Sequence, residues 1–339
     1  MKRGLAIVVA LAALLLALAG CGEKKDAIQP SASTARRSLT LMLDYLPNPD
    51  HVGLYAALAN GDFAKAGLDV NVVTPSDPAA PLKLLEAGKV DLAISYEPEL
   101  LIARDKGEQL VSVGAISQVP LTTLMSLKKG VRTPQDLRGG RVGTAGIPYQ
   151  SAYLTTILAH AGVPRSSVKE TNVGFDLVPA MLSKKVSATL GAYWNVEGVQ
   201  LARAGKHPRI IRMEQVGVPT YDELVLVARK ATLANRGDDV RAFVQALARG
   251  YAAARADPQA ATDALVRAAP DLDKRFALAS VKASLPAFFP ANASEPWGWQ
   301  DPAAWQAYER WMFSNNLIGV MPSAGATPYT NEFLAGQGS

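Results

Sequence analysis

The sequence predicts an α/β protein of two lobes, each a parallel-rich sheet with helices on its faces, joined by two crossings of the chain. Strand-like and helix-like segments alternate from residue 38 to 116 and again from 124 to 194, the pattern of parallel sheets covered by helices. After the second set, "DELVLVARKATL" (222–233) reads as a strand running back into the first lobe. The length, 339 residues, is more than one small core needs.

Each element has its signal. "SLTLMLDY" (38–45) alternates and then turns apolar, a strand. "VGLYAALANGDFAKAG" (52–67) is a helix broken near Gly61, and "LDVNVVTPS" (68–76) is the next strand. "APLKLLEAGKVDLAISY" (80–96) reads as helix, Gly turn and strand, a pattern that "LLIARDKGEQLVSVGAI" (100–116) repeats. The second set opens with "LMSLKKG" and passes through "TPQDLRGGRVGTAGIP" into a loop at 144–150. A helix (151–162), a short strand "KETNVG", a helix (176–185) and a strand (186–194) follow. Beyond 233 the pattern is helical: 238–256, 259–270 and 301–317. Crossings near 123–127 and 221–226 would form a hinge with a cleft able to close on a ligand.

The N-terminus stands apart. Lys2 and Arg3 precede a 15-residue apolar run (5–19), short for a membrane span and right for a signal peptide. It ends in "LAGC" (18–21), which resembles the lipobox of bacterial lipoproteins; Cys21, the sole cysteine, is then the expected lipidation site. A plain secretory leader with a chance cysteine is the alternative. Residues 22–38 read as a flexible polar tether. The expected organisation is a leader (1–21), a tether (22–38), a first lobe (39–123 with 226–339) and a second lobe (124–225).

Composition narrows the function. Hydrophobic residues at 49% and charged residues at 19% describe a folded chain. Net charge is +5, or +3 once Lys2 and Arg3 leave with the leader. No basic patch interleaved with aromatics occurs, so nucleic acid is not an expected partner. G-x-G-x-x-G after the first strand, Walker A, G-x-S-x-G and H-E-x-x-H are all missing. The three histidines, His51, His160 and His207, are far apart along the chain. No cofactor, metal or catalytic residue is expected. A two-domain enzyme of the same outline shares the fold pattern.

In open α/β sheets ligands sit beyond the carboxyl ends of strands. At those ends lie Asp44, Tyr45, Asn48 and His51, in "LDYLPNPDH", where Pro47 and Pro49 stiffen the loop. A helix start near His51 would disfavour its imidazolium form. Asp50 reads as a helix cap and Asn48 as either turn or ligand residue. Tyr96 and Glu97 end "VDLAISY". Tyr149 lies in "TAGIPYQS", whose N–H groups could cradle an anion or polar tail. Tyr193, Trp194, Asn195 and Glu197 follow an apolar strand. Aromatics beside a carboxylate suit a flat, nitrogen-rich ring: the rings stack, and the acid accepts from an amino group and a ring N–H. Alternatively, Glu197 is only a first-turn acid complementing a helix dipole. Trp305, Tyr308 and Trp311 recur at helical spacing and read as core, whereas Trp297 and Trp299 could border the cleft.

Taken together, "LDYLPNPDHVGLYAALANGDFAKAGLDV", "GKVDLAISY", "LRGGRVGTAGIP", "GAYWNVEGVQL", "EPWGWQDPAAWQAYERWMFSNNLI" and "TPYTNEFL" resemble the NMT1/THI5-like periplasmic substrate-binding proteins, in order over about residues 39–335. The resemblance implies a type II periplasmic-binding-protein fold. It also implies a monomer that captures a small heterocycle without chemistry and hands it to an ABC permease and its ATPase at the cell envelope. The likeness is greatest to the formylaminopyrimidine-binding members. Their pattern implies ligand roles for Tyr45, Asn48 and Glu197, with Trp194 or Tyr193 near the ring; Tyr45 stands where the family often has Trp. Hydroxymethylpyrimidine is an equivalent candidate ligand, and riboflavin, another heterocycle or a sulfonate are the alternatives. The related eukaryotic pyrimidine synthase relies on a cysteine-rich iron motif, and no cysteine follows Cys21 here.

Overall fold

The computed structural model describes residues 36–320 and 327–338; the leader, Cys21 and the tether up to Ala35 lie outside the described residues. In chain order, β1 (Arg37–Met42) is followed by α1 (Val52–Ala59), α2 (Asp62–Lys65), β2 (Leu68–Val73), α3 (Pro81–Glu86), β3 (Leu92–Ser95), α4 (Glu97–Asp105) and β4 (Leu110–Ser117). Then come β5 (Thr122–Ser126), β6 (Arg141–Thr144), α5 (Pro148–His160), β7 (Lys169–Asn172), α6 (Leu177–Leu182), β8 (Ala188–Tyr193), α7 (Glu197–Arg203) and β9 (Arg209–Arg212). The chain returns through β10 (Leu224–Arg229) into α8 (Lys230–Ala256), α9 (Pro258–Ala268), α10 (Lys274–Ser284) and α11 (Pro302–Ser314).

Two five-stranded sheets result, in the orders β2-β1-β3-β10-β4 and β7-β6-β8-β5-β9. Within each, the sequential strands pair in parallel, as β1 does with β2 and β3 and β6 with β7 and β8. The strand that has just crossed from the other lobe runs antiparallel: β10 between β3 and β4, and β5 between β8 and β9. The central strands β5 and β8 are buried throughout, and so is the edge strand β4, beside which the C-terminal segment pairs: the Ser112 N–H donates to the Pro328 carbonyl and the Thr330 N–H to the Ser112 carbonyl.

The crossings occupy residues 118–121 and 217–223, so Thr122 and Thr123 already belong to the second sheet and Leu224 and Val225 to the first. Two elements escaped the sequence reading. β9, "RIIR", is a four-residue edge strand, too short to alternate visibly. α10 presents serines, not hydrophobics, on part of its buried face. Residues 230–256 form a longer helix than expected, kinked where Arg236 leaves helical geometry (φ −139°). In the first lobe α1 lies directly on α8: a Cβ at Gly250 would strike the carbonyl of Gly53, so only glycine allows that approach.

Candidate functional site

In the first sheet the strand order reverses at β1 and β3, and in the second at β6 and β8. The crevices at such reversals, beyond the strand carboxyl ends, are where open sheets hold ligands. Here the two crevices face each other across a narrow cavity of about 30 Å³. The first lobe contributes Asp44, Tyr45 and Asn48 after β1 and Tyr96 after β3. The second contributes Ala145, Ile147, Tyr149 and Gln150 after β6, Leu177 from α6, and Gly191, Tyr193, Val196 and Glu197 around the end of β8.

Asp44 is the best-anchored of these. It is 2% exposed, and its Oδ2 accepts from the Tyr96 hydroxyl at 2.9 Å. Its Oδ1 lies 2.8 Å from Nε2 of His51. The Nδ1 of His51 accepts the Asn48 N–H at 3.2 Å, so the ring proton sits on Nε2 and is donated to Asp44. Pro49 and the cap of Asn48 Oδ1 on the Asp50 N–H (2.8 Å) hold this turn rigid. His51 therefore supports Asp44 from behind and does not line the cavity.

Glu197, at the start of α7, accepts the Tyr193 N–H at 2.7 Å. Burial pushes its carboxyl up to about 7, against the opposing pull of the Tyr193 and Glu197 backbone N–H groups. Tyr45 spans the cleft: its hydroxyl reaches the Gly174 carbonyl at 3.4 Å, and its ring packs edge-on against Phe175 at 4.6 Å. Burial keeps the phenols of Tyr96, Tyr149 and Tyr193 protonated at any ordinary pH, as donors.

Three further residues have their partners outside the cavity lining. The Glu97 carboxylate turns to the Asp222 N–H at 2.6 Å, in the return crossing. Trp194 donates Nε1 to the Pro120 carbonyl at 3.1 Å beneath the Arg212 guanidinium, 4.1 Å above its ring. Asn195 gives Nδ2 to Asp50 Oδ1 (2.6 Å) and Ser284 Oγ (2.7 Å), tying the second lobe to the first. In the loop 144–150 two N–H groups are already occupied, that of Ala145 by Gln150 Oε1 (2.8 Å) and that of Gln150 by the Ile147 carbonyl (3.0 Å). Trp297 stacks on Tyr251 at 4.8 Å; neither it nor Trp299 lines the cavity. Trp305 and Tyr308 are core.

Gln150 and Gly191 were missed. Gln150 is a polar residue in a first helical turn, a weak signal. Gly191 has φ +114°, and a Cβ there would strike the Gln150 amide. Gly191→Ala is expected to impose roughly 1–3 kcal/mol of strain, lower the urea midpoint and displace Gln150 from the cavity wall.

Also unforeseen is Glu223, fully buried between the two crossings. Its carboxylate accepts from the Leu121 N–H (2.8 Å), the Thr122 N–H and hydroxyl (2.9 Å each) and the Tyr221 hydroxyl (2.8 Å). The cavity residue Tyr193 points its hydroxyl at the same acid from 3.4 Å. One carboxylate thus binds both crossings together. Among the described residues, no group of three or more His, Cys, Asp or Glu side chains is placed to hold a metal.

The fold is that of solute-binding proteins. The alkanesulfonate-binding protein SsuA from Xanthomonas axonopodis pv. citri, solved with MOPS bound, superposes with a TM-score of 0.62 over 84% of this chain and 95% of its own, at 17% identity. The family model "NMT1/THI5 like" matches residues 48–261. A formylaminopyrimidine-binding protein of Halalkalibacterium halodurans is 32% identical over 92% of this chain and 94% of its own length. A 4-amino-5-hydroxymethyl-2-methylpyrimidine phosphate synthase of Legionella pneumophila is 25% identical over 71% of this chain and 76% of its own. The chain belongs to the NMT1/THI5-like family, and at that level it is a solute-binding protein of the ABC-importer kind acting outside the cytoplasm.

Proposed function

We propose that the chain captures a thiamin pyrimidine precursor, formylaminopyrimidine or hydroxymethylpyrimidine, and delivers it to an ABC permease driven by its ATPase. One observation carries this reading. The cavity is lined by two carboxyl side chains, Asp44 and Glu197, by four tyrosines and by the amides of Asn48 and Gln150, and by no Lys, Arg or His. Such a lining repels sulfonates and other anions. It suits a flat ring that carries several N–H donors. The similarity to the formylaminopyrimidine-binding protein of Halalkalibacterium halodurans supports the same reading.

On this reading Glu197 accepts from the exocyclic amino group and a ring N–H, Asp44 takes a further donor, and Tyr45 and Tyr193 pack on the ring. No bond is made or broken. The two lobes part and close about the crossings at 118–121 and 217–223, and ligand favours the closed form only through contacts made there. The decisive experiment is mass spectrometry of small molecules released from gently purified protein, followed by calorimetric titration. A pyrimidine should be released and rebound, with a smaller radius of gyration in X-ray scattering. Binding of a sulfonate in preference to every pyrimidine sinks the proposal.

We place the protein on the membrane through Cys21. A fatty-acid analogue fed to a lipidating host should label the wild type and leave Cys21→Ser unlabelled. An unlabelled wild type refutes the anchor and leaves the ligand reading intact.

A further inference from the structure

One buried polar contact joins the two halves of the fold alongside the cavity. Asn195 follows β8 of the second sheet and Asp50 follows β1 of the first. Both are fully buried, and neither lines the cavity. Asn195 Nδ2 carries two hydrogens and both are used, one on Asp50 Oδ1 (2.6 Å) and one on Ser284 Oγ of α10 (2.7 Å). The Ser284 hydroxyl gives its own proton to the Ser280 carbonyl at 2.8 Å. Its oxygen is therefore an acceptor here, which fixes the Asn195 amide this way round. The Ser280 hydroxyl donates to the Asn195 carbonyl.

Two atoms of this pair are left over. Asp50 Oδ2 and Asn195 Oδ1 are both buried acceptors without a donor, which destabilises the contact unless a proton is present. No cation offsets the carboxyl. Among the described residues Asp50 has no ion-pair partner, and His51 beside it gives its ring proton to Asp44. The charged groups facing it are acids, Asp44 from the end of β1 and Glu197 from α7. From α8 it meets the Tyr251 hydroxyl, which donates to the Asp50 carbonyl at 2.6 Å. The buried residues of α9 and α10 include no charged side chain. Burial first, then Asp44 and Glu197, push the Asp50 carboxyl well above its usual range, against hydrogen bonds from Asn195 and Ser284. A proton on Oδ2 turns that acceptor into a donor, and the amide oxygen of the same pair is the acceptor that lacks one.

We propose that Asp50, as the neutral acid, and Asn195 form a proton-dependent clasp that holds the two lobes closed without touching the ligand. When the lobes part, Asp50 meets water and returns to an ordinary carboxyl, so closing takes up a proton. The closed form has its full advantage below the ordinary carboxyl range and loses it as pH rises through the raised value of the closed state. The inference stands on the solute-binding fold and not on the identity of the ligand.

The test is X-ray scattering of the ligand-free protein from about pH 5 to about pH 9, where the closed-state acid loses its proton. The wild type should be compact at the acid end and open as pH rises, its open-to-closed ratio growing by up to about tenfold per unit. Asp50→Asn puts an amide NH2 where the acid carries its proton, so it should stay compact across the range. Asn195→Ala and Asp50→Ala should be open throughout. The turn itself keeps its backbone bonds to Asn48 Oδ1 and the Tyr251 hydroxyl, and a urea midpoint separates opening from unfolding. The wild-type profile and Asp50→Asn decide the matter even where an alanine variant fails to fold. A wild-type radius of gyration that does not change with pH, or an Asp50→Asn protein that is open where the wild type is compact, overturns the clasp and leaves the ligand reading intact.

Discussion

Glu197→Gln is expected to weaken aminopyrimidine binding by about 2–4 kcal/mol, roughly 30- to 1,000-fold, with little change in melting temperature. The substitution keeps shape but replaces an anionic acceptor by an amide whose NH2 faces the ligand's own donors. Its remaining structural bond, the Tyr193 N–H, still finds an acceptor in the amide oxygen. A pH signature accompanies it. In the free site burial raises the Glu197 carboxyl to about 7, and the ionised form is the one that accepts from the ring. Ligand affinity should therefore be full above that value and fall as pH drops through it, by up to about tenfold per unit. The Gln variant should lose this part of the pH dependence. Wild-type affinity in the variant means that Glu197 serves only the start of α7 and that the ring is read by Asp44 instead.

The second large effect is expected at Glu223. Replacing it by Ala strands the Leu121 and Thr122 N–H groups, the Thr122 hydroxyl and the Tyr221 hydroxyl in the interior. Each lost partner costs about 1–3 kcal/mol, and partial rearrangement brings the expected total to about 3–5 kcal/mol. Urea unfolding reads this directly. Glu223→Gln should fall between wild type and Ala, since its amide oxygen still accepts while its NH2 opposes a donor. If Glu223→Ala unfolds with the wild-type midpoint, the carboxylate does not hold the crossings.

The alternating and Gly-punctuated segments made the sheets legible, because a half-buried or fully buried strand leaves a period in its side chains. β9 left none: four residues between two exposed turns carry too little pattern. The helix at 274–284 hid for a different reason. Its Ser280 and Ser284 are buried because they meet Asn195 of the other lobe, and a polar contact between distant segments has no local periodicity. The same limit explains the site. That Asp44, Tyr45 and Glu197 lie at strand ends could be read from chain order. Which of Tyr193, Trp194, Asn195 and Glu197 face the cavity could not, because the turn after β8 rotates Trp194 toward Pro120 and Asn195 toward Asp50. Glu223 looked like an acid ahead of a strand; its role exists only once two crossings, a hundred residues apart, lie side by side.

The strand order of the first sheet also governs how the chain can be made. β10, which lies between β3 and β4, is synthesised after the whole of the second lobe. Until residue 229 is available, β3 and β4 have no strand between them, and the N-terminal third of the protein is a sheet with a gap at its middle. The intervening segment, by contrast, holds all five strands of its own sheet. The second lobe can therefore assemble first, as an insert within an unfinished host, and the first lobe closes last through its longest-range pairings. Such late, non-local closure is slow. It prolongs the interval in which the nascent chain stays extended enough to be threaded across a membrane, and it leaves unpaired strand edges that a holding chaperone can cover.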